Sequence, residues 1–236
     1  MTRIGVAALA LLTLVFSVVC DSAVVYTEAS FGWQTDGNGG IIITGYTGPG
    51  GAVVIPEQID GSPVIAIGEW AFVDKRLTSV VIPDSVTYIG NSAFHRNQLS
   101  SVIIPDRVTG IGSYAFYVNQ LTSVTIPDSV TDIGDGAFRN NILSSAIIGS
   151  SVTDIGQYAF SSNRLTSVII PDNVTTIWNW AFSDNFLTSI VIGENVAFEY
   201  VVFGYGFEAA YENNGRMTGA YTRPDTDSTA WTRNKI

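Results

Sequence analysis

Leu121-Thr-Ser-Val-Thr-Ile-Pro-Asp-Ser-Val-Thr-Asp-Ile-Gly-Asp-Gly-Ala-Phe138 is the stretch on which the reading of this chain turns. Its opening, L-x-S-V-x-I, sets β-branched residues at a period of two, the mark of a strand with one buried face. Pro127 stops that strand, because proline has no N–H to give to a ladder. V-T-x-I-G then reads as a short extended return ending in a glycine turn. The closing Ala-Phe segment suits one helical or 3₁₀ turn, where alanine permits close approach and phenylalanine fills the interior.

Outward from this stretch the same pattern recurs every 22 residues. Ala-Phe stands at Ala71-Phe72, Ala93-Phe94, Ala115-Phe116, Ala137-Phe138, Ala159-Phe160 and Ala181-Phe182. Leu77, Leu99, Leu121, Leu143, Leu165 and Leu187 keep the same step, as do valines from Val86 to Val196. Proline ends the strand at Pro83, Pro105, Pro127 and Pro171, and Gly149 and Gly193 take its place elsewhere. Asn97, Asn119, Asn141, Asn163 and Asn185 precede the leucine by two residues; asparagine tolerates the left-handed conformation and bonds backbone locally, so it can end the turn and start the next strand. Lys75 stands there in the first copy, as a terminal repeat allows. No unit can bury its Leu, Val, Ile and Phe alone, so the copies must stack. The predicted fold is a repeat solenoid, leucine-rich, with a parallel β-sheet on one face and short helical or 3₁₀ turns on the other, capped at both ends. Six stacked strands about 4.8 Å apart would give roughly 24 Å of sheet.

The repeated unit resembles the BspA-type leucine-rich repeats of bacterial surface proteins, abundant in treponemes. The flanks agree: Gly40 to Gly48, Val53 to Pro56 and Gly61 to Gly68 resemble the entry segment of those proteins. Phe207 to Tyr211, Asn214-Gly215, Tyr221 to Pro224 and Trp231-Thr-Arg resemble their closing unit. The resemblance runs from about residue 31 to 233. It implies an exported protein with a role in adhesion to host cells, matrix proteins or other bacteria. The ends also make sense by themselves: Asp36 to Gly40 reads as a hairpin turn, and a solenoid needs caps over its exposed core and sheet edges. The expected division is a leader over 1–20, an N-terminal hairpin-like cap over 21–63, the repeats over 64–197 and a C-terminal cap over 198–236.

Met1 to Cys20 carries one basic residue, Arg3, and then an uncharged apolar run from Ile4 to Val19. A membrane-spanning helix needs about 20 apolar residues, so this run fits a secretory signal or a lipoprotein signal better than an anchor. Cys20 stands where an acylated lipoprotein cysteine would, although Val19 departs from the small residue usual before it. Ordinary cleavage and lipidation of Cys20 both remain open at this point. The expected location is the cell envelope or surface, lipid-anchored, or secreted.

Over all 236 residues, composition narrows the function. One cysteine excludes an internal disulfide and a cysteine-rich zinc site, and one histidine excludes a two-histidine metal motif. With 21 acidic against 11 basic residues the net charge is −10, the wrong sign for phosphate backbones or anionic lipid. No nucleic-acid partner is expected, and membrane contact is expected only through the N-terminal segment or a lipid on Cys20.

In L-x-S-V-x-I the consensus leucine, valine and isoleucine point inward, so the residues between them face out. One outward column is Ser79, Ser101, Ser123, Ser145, Ser167 and Ser189. The other is Val81, Ile103, Thr125, Ile147, Ile169 and Val191. This small, uncharged, partly aliphatic face is the expected partner-binding surface. Strand propensity alone would also select those residues. Trp70, Tyr114, Tyr158 and Trp180, two residues before each phenylalanine, form either a contact edge or a column of packing between turns, and packing fits better.

Catalytic chemistry is sparse in the sequence. His95 falls in a variable column with Val73, Tyr117, Arg139, Ser161 and Ser183, without a repeated acid or nucleophile beside it. Asp84, Asp106, Asp128 and Asp172 follow proline and suit turn capping better than calcium, which wants oxygens converging from several positions. Asp36 to Gly40 lacks the closing glutamate of a calcium loop, Thr47 standing in its place, and no glycine pair has a phosphate-loop context. No cofactor and no metal are expected. The expected function is a non-enzymatic protein-binding or adhesion module of the bacterial envelope, with protein partners on a host cell, in the matrix or in the envelope. A structural assembly module without a host ligand, and more remotely a carboxylate-based enzyme, are the alternatives.

Overall fold

The computed structural model describes residues 28–234 except 195, 200 and 205. The leader, Cys20 and the start of the N-terminal cap lie outside the described residues. The chain opens with β1 (Phe31–Thr35), β2 (Ile41–Tyr46), β3 (Gly51–Val54), β4 (Gln58–Ile59) and β5 (Ser62–Ile67). The repeats then supply β6 (Leu77–Val81), β7 (Tyr88–Ile89), β8 (Gly110–Ile111), β9 (Ser123–Thr125), β10 (Asp132–Ile133) and β11 (Ser145–Ile147). They continue with β12 (Asp154–Ile155), β13 (Ser167–Ile169), β14 (Thr176–Ile177), β15 (Ser189–Ile192) and β16 (Ala197–Phe198). Helix α1 (Phe207–Asn213), β17 (Gly219–Thr222) and β18 (Thr232–Asn234) close the chain.

The result is the expected solenoid, with parallel pairing and little helix. Each coil rests on the one before, and each position meets its equivalent one repeat on: Ser123 pairs with Ser145, Thr125 with Ile147, and Ile133 with Ile155. The consensus leucines, alanines and phenylalanines are buried throughout. Phe72, Phe94, Phe116, Phe138, Phe160, Phe182 and Phe203 form one stack, with neighbouring centroids 5.0–5.4 Å apart.

Where the hydrogen bonds go differs from the expectation in three respects. First, the unbroken ladder is the short return, not the L-x-S-V-x-I strand. β5, β7, β8, β10, β12, β14 and β16 run parallel in one sheet. Threonines before the middle strands reinforce it: Thr109, Thr131 and Thr153 each donate both N–H and hydroxyl to the threonine carbonyl one coil back. The L-x-S-V-x-I face is divided into β3–β6, β9–β11 and β13–β15, and Ser101–Ile104 makes no backbone hydrogen bond at all.

Second, the turns after the return are reverse turns rather than helical ones. Tyr114 (φ 59°) is left-handed, Ala115 N–H closes on Gly112 O, and the Tyr114 and Phe116 N–H groups donate to Asp135 and Ala137 of the next coil. A helical turn would keep those donors local. Turning them outward extends the inter-coil bonding to this face.

Third, the asparagines are clamps. The left-handed residue is the one before each: Arg96, Val118, Asn140, Ser162 and Asp184, all with φ of 54–57°. Asn141 is buried, donates Nδ2 to Phe116 O at 2.9 Å and Phe138 O at 3.0 Å, and accepts the Leu121 N–H at 3.1 Å. Asn97, Asn119, Asn163 and Asn185 make the equivalent bonds. Each amide thus satisfies backbone groups of two coils, and Asn97 already serves the first coil, at Lys75 N and Leu77 N.

At the N-terminal end, Asp36 Oδ1 accepts the Asn38 and Gly40 N–H groups at 2.8 Å and shapes the β1–β2 hairpin. Beyond Val196 the coil register continues one residue short: Phe198 pairs with Ile177, and Phe203 takes the next place in the ring stack. Glu208 on α1 holds that coil by accepting the Val202 and Phe203 N–H groups, both at 2.7 Å. β17 pairs antiparallel with β15, and Arg223 Nε donates to Leu187 O at 2.7 Å, where the next repeat would stand.

Removing one ring from the stack should leave a cavity flanked by two phenylalanines. Phe138→Ala is therefore expected to cost about 3–5 kcal/mol, measured by urea unfolding. An unchanged midpoint would contradict the stacked core.

Candidate interaction surface

Strand alternation places the two outward columns as the pattern requires. Ile103 is 84% exposed, Ile169 66%, Ile147 60% and Val81 55%, a row on one face rather than scattered single residues. Ser101, Ser123, Thr125, Ser145 and Ser167 are exposed beside them, while Ser79, Ser189 and Val191 are half-buried where β3 and β17 pair alongside. The face thus carries an aliphatic stripe with hydroxyls next to it.

One rim of this face is acidic. Asp84, Asp106, Asp128 and Asp172 follow the strand ends and are exposed. Asp128 Oδ1 accepts the Ser150 N–H of the next coil at 2.7 Å, which holds its carboxyl below the usual carboxylate value. Its bond therefore runs between coils rather than capping its own turn. Arg107 interrupts the rim in the second repeat. Ser85 and Ser129 hydroxyls donate at 2.6 Å to Val64 O and Val108 O, a tie that arginine in the same column does not make.

Beside Arg107 the strand face opens. A groove of about 340 Å³ lies between Ser101–Ile104 with Asp106 on one side and Ser123–Thr125 with Pro127 on the other. Neither wall bonds across it, since β9 pairs only with β11. The sequence pattern does not distinguish this coil in its apolar positions, and only Arg107 marks it.

The aromatic residues Trp70, Tyr114, Tyr158 and Trp180 sit on the turn face, each the left-handed residue of its turn. They are not a bare column. Tyr158 and Trp180 stack at 5.1 Å, Trp70 lies 6.0 Å from His95, and His95 lies 4.9 Å from Tyr117. The Tyr114 ring fills the space above Gly136, and Arg139 sits 4.5 Å from the Tyr158 ring. Of these contacts only Tyr158–Trp180 is a face-to-face stack, and Trp70, Tyr114 and Trp180 stay exposed, so the column combines packing between turns with an open aromatic edge. His95 Nδ1 is buried without a partner, and burial pushes the imidazole below its ordinary pKa, against the pull of Asp74.

A second groove, of about 450 Å³, opens over the continuous ladder between Tyr88 and Trp178, with Asp132, Asp135 and Asp154 along it. Asp132 and Asp154 are ladder partners, and Asp135 Oδ1 accepts the Gln157 N–H at 2.8 Å. Among the described residues no three His, Cys, Asp or Glu side chains are placed to hold a metal ion, and no helix is long and apolar enough to cross a membrane.

Comparison with known proteins gives the context. A family model described as BspA type leucine rich repeat region matches residues 65–188 in six copies, more than half of the chain. A leucine rich cell surface protein of Faecalibacterium prausnitzii A2-165 is 31% identical, with a TM-score of 0.55 over 73% of this chain and 55% of its own. The pneumococcal vaccine antigen PcpA shares the fold at 20% identity, with a TM-score of 0.58 over 70% of this chain and 48% of its own. A leucine-rich repeat protein of Bacteroides ovatus does so at 24% identity and a TM-score of 0.50, over 67% of this chain and 50% of its own. The chain thus spans about half the length of these structures. Comparison with curated proteins gives no match. The matched residues cover all five asparagine clamps and the phenylalanine stack from Phe72 to Phe182, and this chain belongs to the BspA-type leucine-rich repeat family.

Proposed function

We propose that this chain is an exported, non-enzymatic module that binds a protein partner at the bacterial cell surface through its strand face. The observation that carries the reading is the row Val81, Ile103, Ile147 and Ile169, each more than half exposed on a scaffold that every coil holds in register. Burying that row against a partner stabilises the complex at roughly 25 cal/mol per Å² of apolar area, before the costs of association are subtracted. The fold supports this use, since leucine-rich repeat arrays present extended surfaces for protein binding. The cell surface description of the 31%-identical relative supports the location.

Adhesion to host cells or matrix is the finer form of the proposal. Ile103→Asp with Ile147→Asp places two charges on exposed positions and should leave the fold intact. Binding to cells or immobilised matrix protein is expected to fall at least tenfold, with unchanged circular dichroism. Undiminished binding by the folded double variant would remove the strand face as the site. Binding only to envelope extract would instead make the chain an assembly module.

Export rests on the apolar run from Ile4 to Val19, with Cys20 as the acyl acceptor or as part of a removed leader. Mass spectrometry of the mature protein is expected to show an N-terminus at or near Cys20, with added acyl mass if it is lipidated. An intact Met1 terminus on protein shielded from protease in whole cells would overturn export.

A further inference from the structure

We propose that the groove between Ser101–Ile104 and Ser123–Pro127 is a seat for an arginine side chain of the protein partner. This deepens the strand-face reading and rests on it. Three observations converge on the groove. Its walls carry backbone groups without partners: Ser101–Ile104 makes no backbone hydrogen bond to either neighbouring coil, and β9 is bonded only on its far side. Ile103 stands over it at 84% exposure, an apolar surface for the methylene stem of a long side chain. Asp106 lines it, and Asp84 and Asp128 lie along the same rim, leaving the row net negative even with Arg107.

The occupant follows from that chemistry. Unpaired strand carbonyls accept hydrogen bonds and a carboxylate beside them adds charge, while the unpaired N–H groups of the same wall are left for backbone carbonyls of the partner. A guanidinium supplies five N–H donors in a fixed fork and no acceptor, and it loses less on dehydration than an ammonium does. The net charge of −10 attracts such a segment over distance and speeds encounter at low salt. A volume of about 340 Å³ admits one long side chain and leaves the partner's backbone on the surface, against Ile103 and Ile147.

The test uses the full chain and three synthetic peptides, acetyl-Gly-Val-Arg-Val-Arg-Val-Gly-amide and its versions with lysine or neutral citrulline at both arginines. Binding is followed by two-dimensional NMR of the labelled protein. The arginine peptide is expected to bind at millimolar or lower concentration and to shift amide signals within 101–104 and 123–125. The citrulline peptide should bind at least tenfold more weakly and the lysine peptide in between. Asp106→Asn should weaken the arginine peptide at least threefold, while Asp172→Asn, on a distant coil, should change nothing. No binding up to 10 mM, equal binding of the arginine and citrulline peptides, shifts confined to other coils, or indifference to Asp106→Asn would each overturn the arginine seat. The strand face itself would stand in any of those cases if Ile103→Asp with Ile147→Asp still abolishes binding to cells or extract.

Discussion

The inward-turned amide of each repeat asparagine, buried at Asn97, Asn119, Asn141 and Asn163, is the constraint on which the structure depends. It accepts one backbone N–H and donates to two carbonyls that belong to adjacent coils, as Asn141 does with Leu121, Phe116 and Phe138. Those groups sit inside the core, where an unpaired donor or acceptor costs roughly 1–3 kcal/mol. They can be satisfied only if consecutive asparagines lie one coil apart. The step of 22 residues is therefore enforced from inside, and a longer or shorter coil would strand several polar groups at once.

Once that step is fixed, the rest follows. Like side chains stack, so the phenylalanines form a column and the threonines bond in a row. The reverse turns send N–H groups to the next coil, and this asks Tyr114, Tyr158 and Trp180 to hold a left-handed backbone at a cost of about 1–2 kcal/mol each. With bonding concentrated on the return and turn faces, the strand face is left with interruptions. One of these interruptions is the open groove, walled by Ser101–Ile104 and Ser123–Thr125.

Much of this was legible in the sequence. The period, the inward Leu, Val, Ile and Phe, the outward columns and the need for caps all come from spacing and side-chain type. The asparagines are legible as turn residues that bond backbone, but not as clamps between coils, because an asparagine near a turn suits a left-handed residue equally well. Only the three-dimensional stack shows that the residue before it takes that conformation while the amide turns inward. Which of two extended segments carries the unbroken ladder was not legible either, since both have β-branched residues and the choice depends on the geometry of closing a coil. Trp178 illustrates the limit: it occupies a glycine column, yet nothing in the one-dimensional pattern places it opposite Tyr88 across the second groove.

The central claim, that coils are interchangeable units locked at one fixed step, is tested most directly by paired deletions in the middle of the array. Removing residues 121–142 takes out one whole coil of 22 residues and joins Gln120 to Leu143. Removing only 121–140 breaks the step by two residues. Thermal unfolding followed by circular dichroism should show a cooperative transition for the first protein, at a lower temperature than the parent, and none for the second. Equal loss of folding in both would contradict the account, because a whole coil would then be no more dispensable than a broken one.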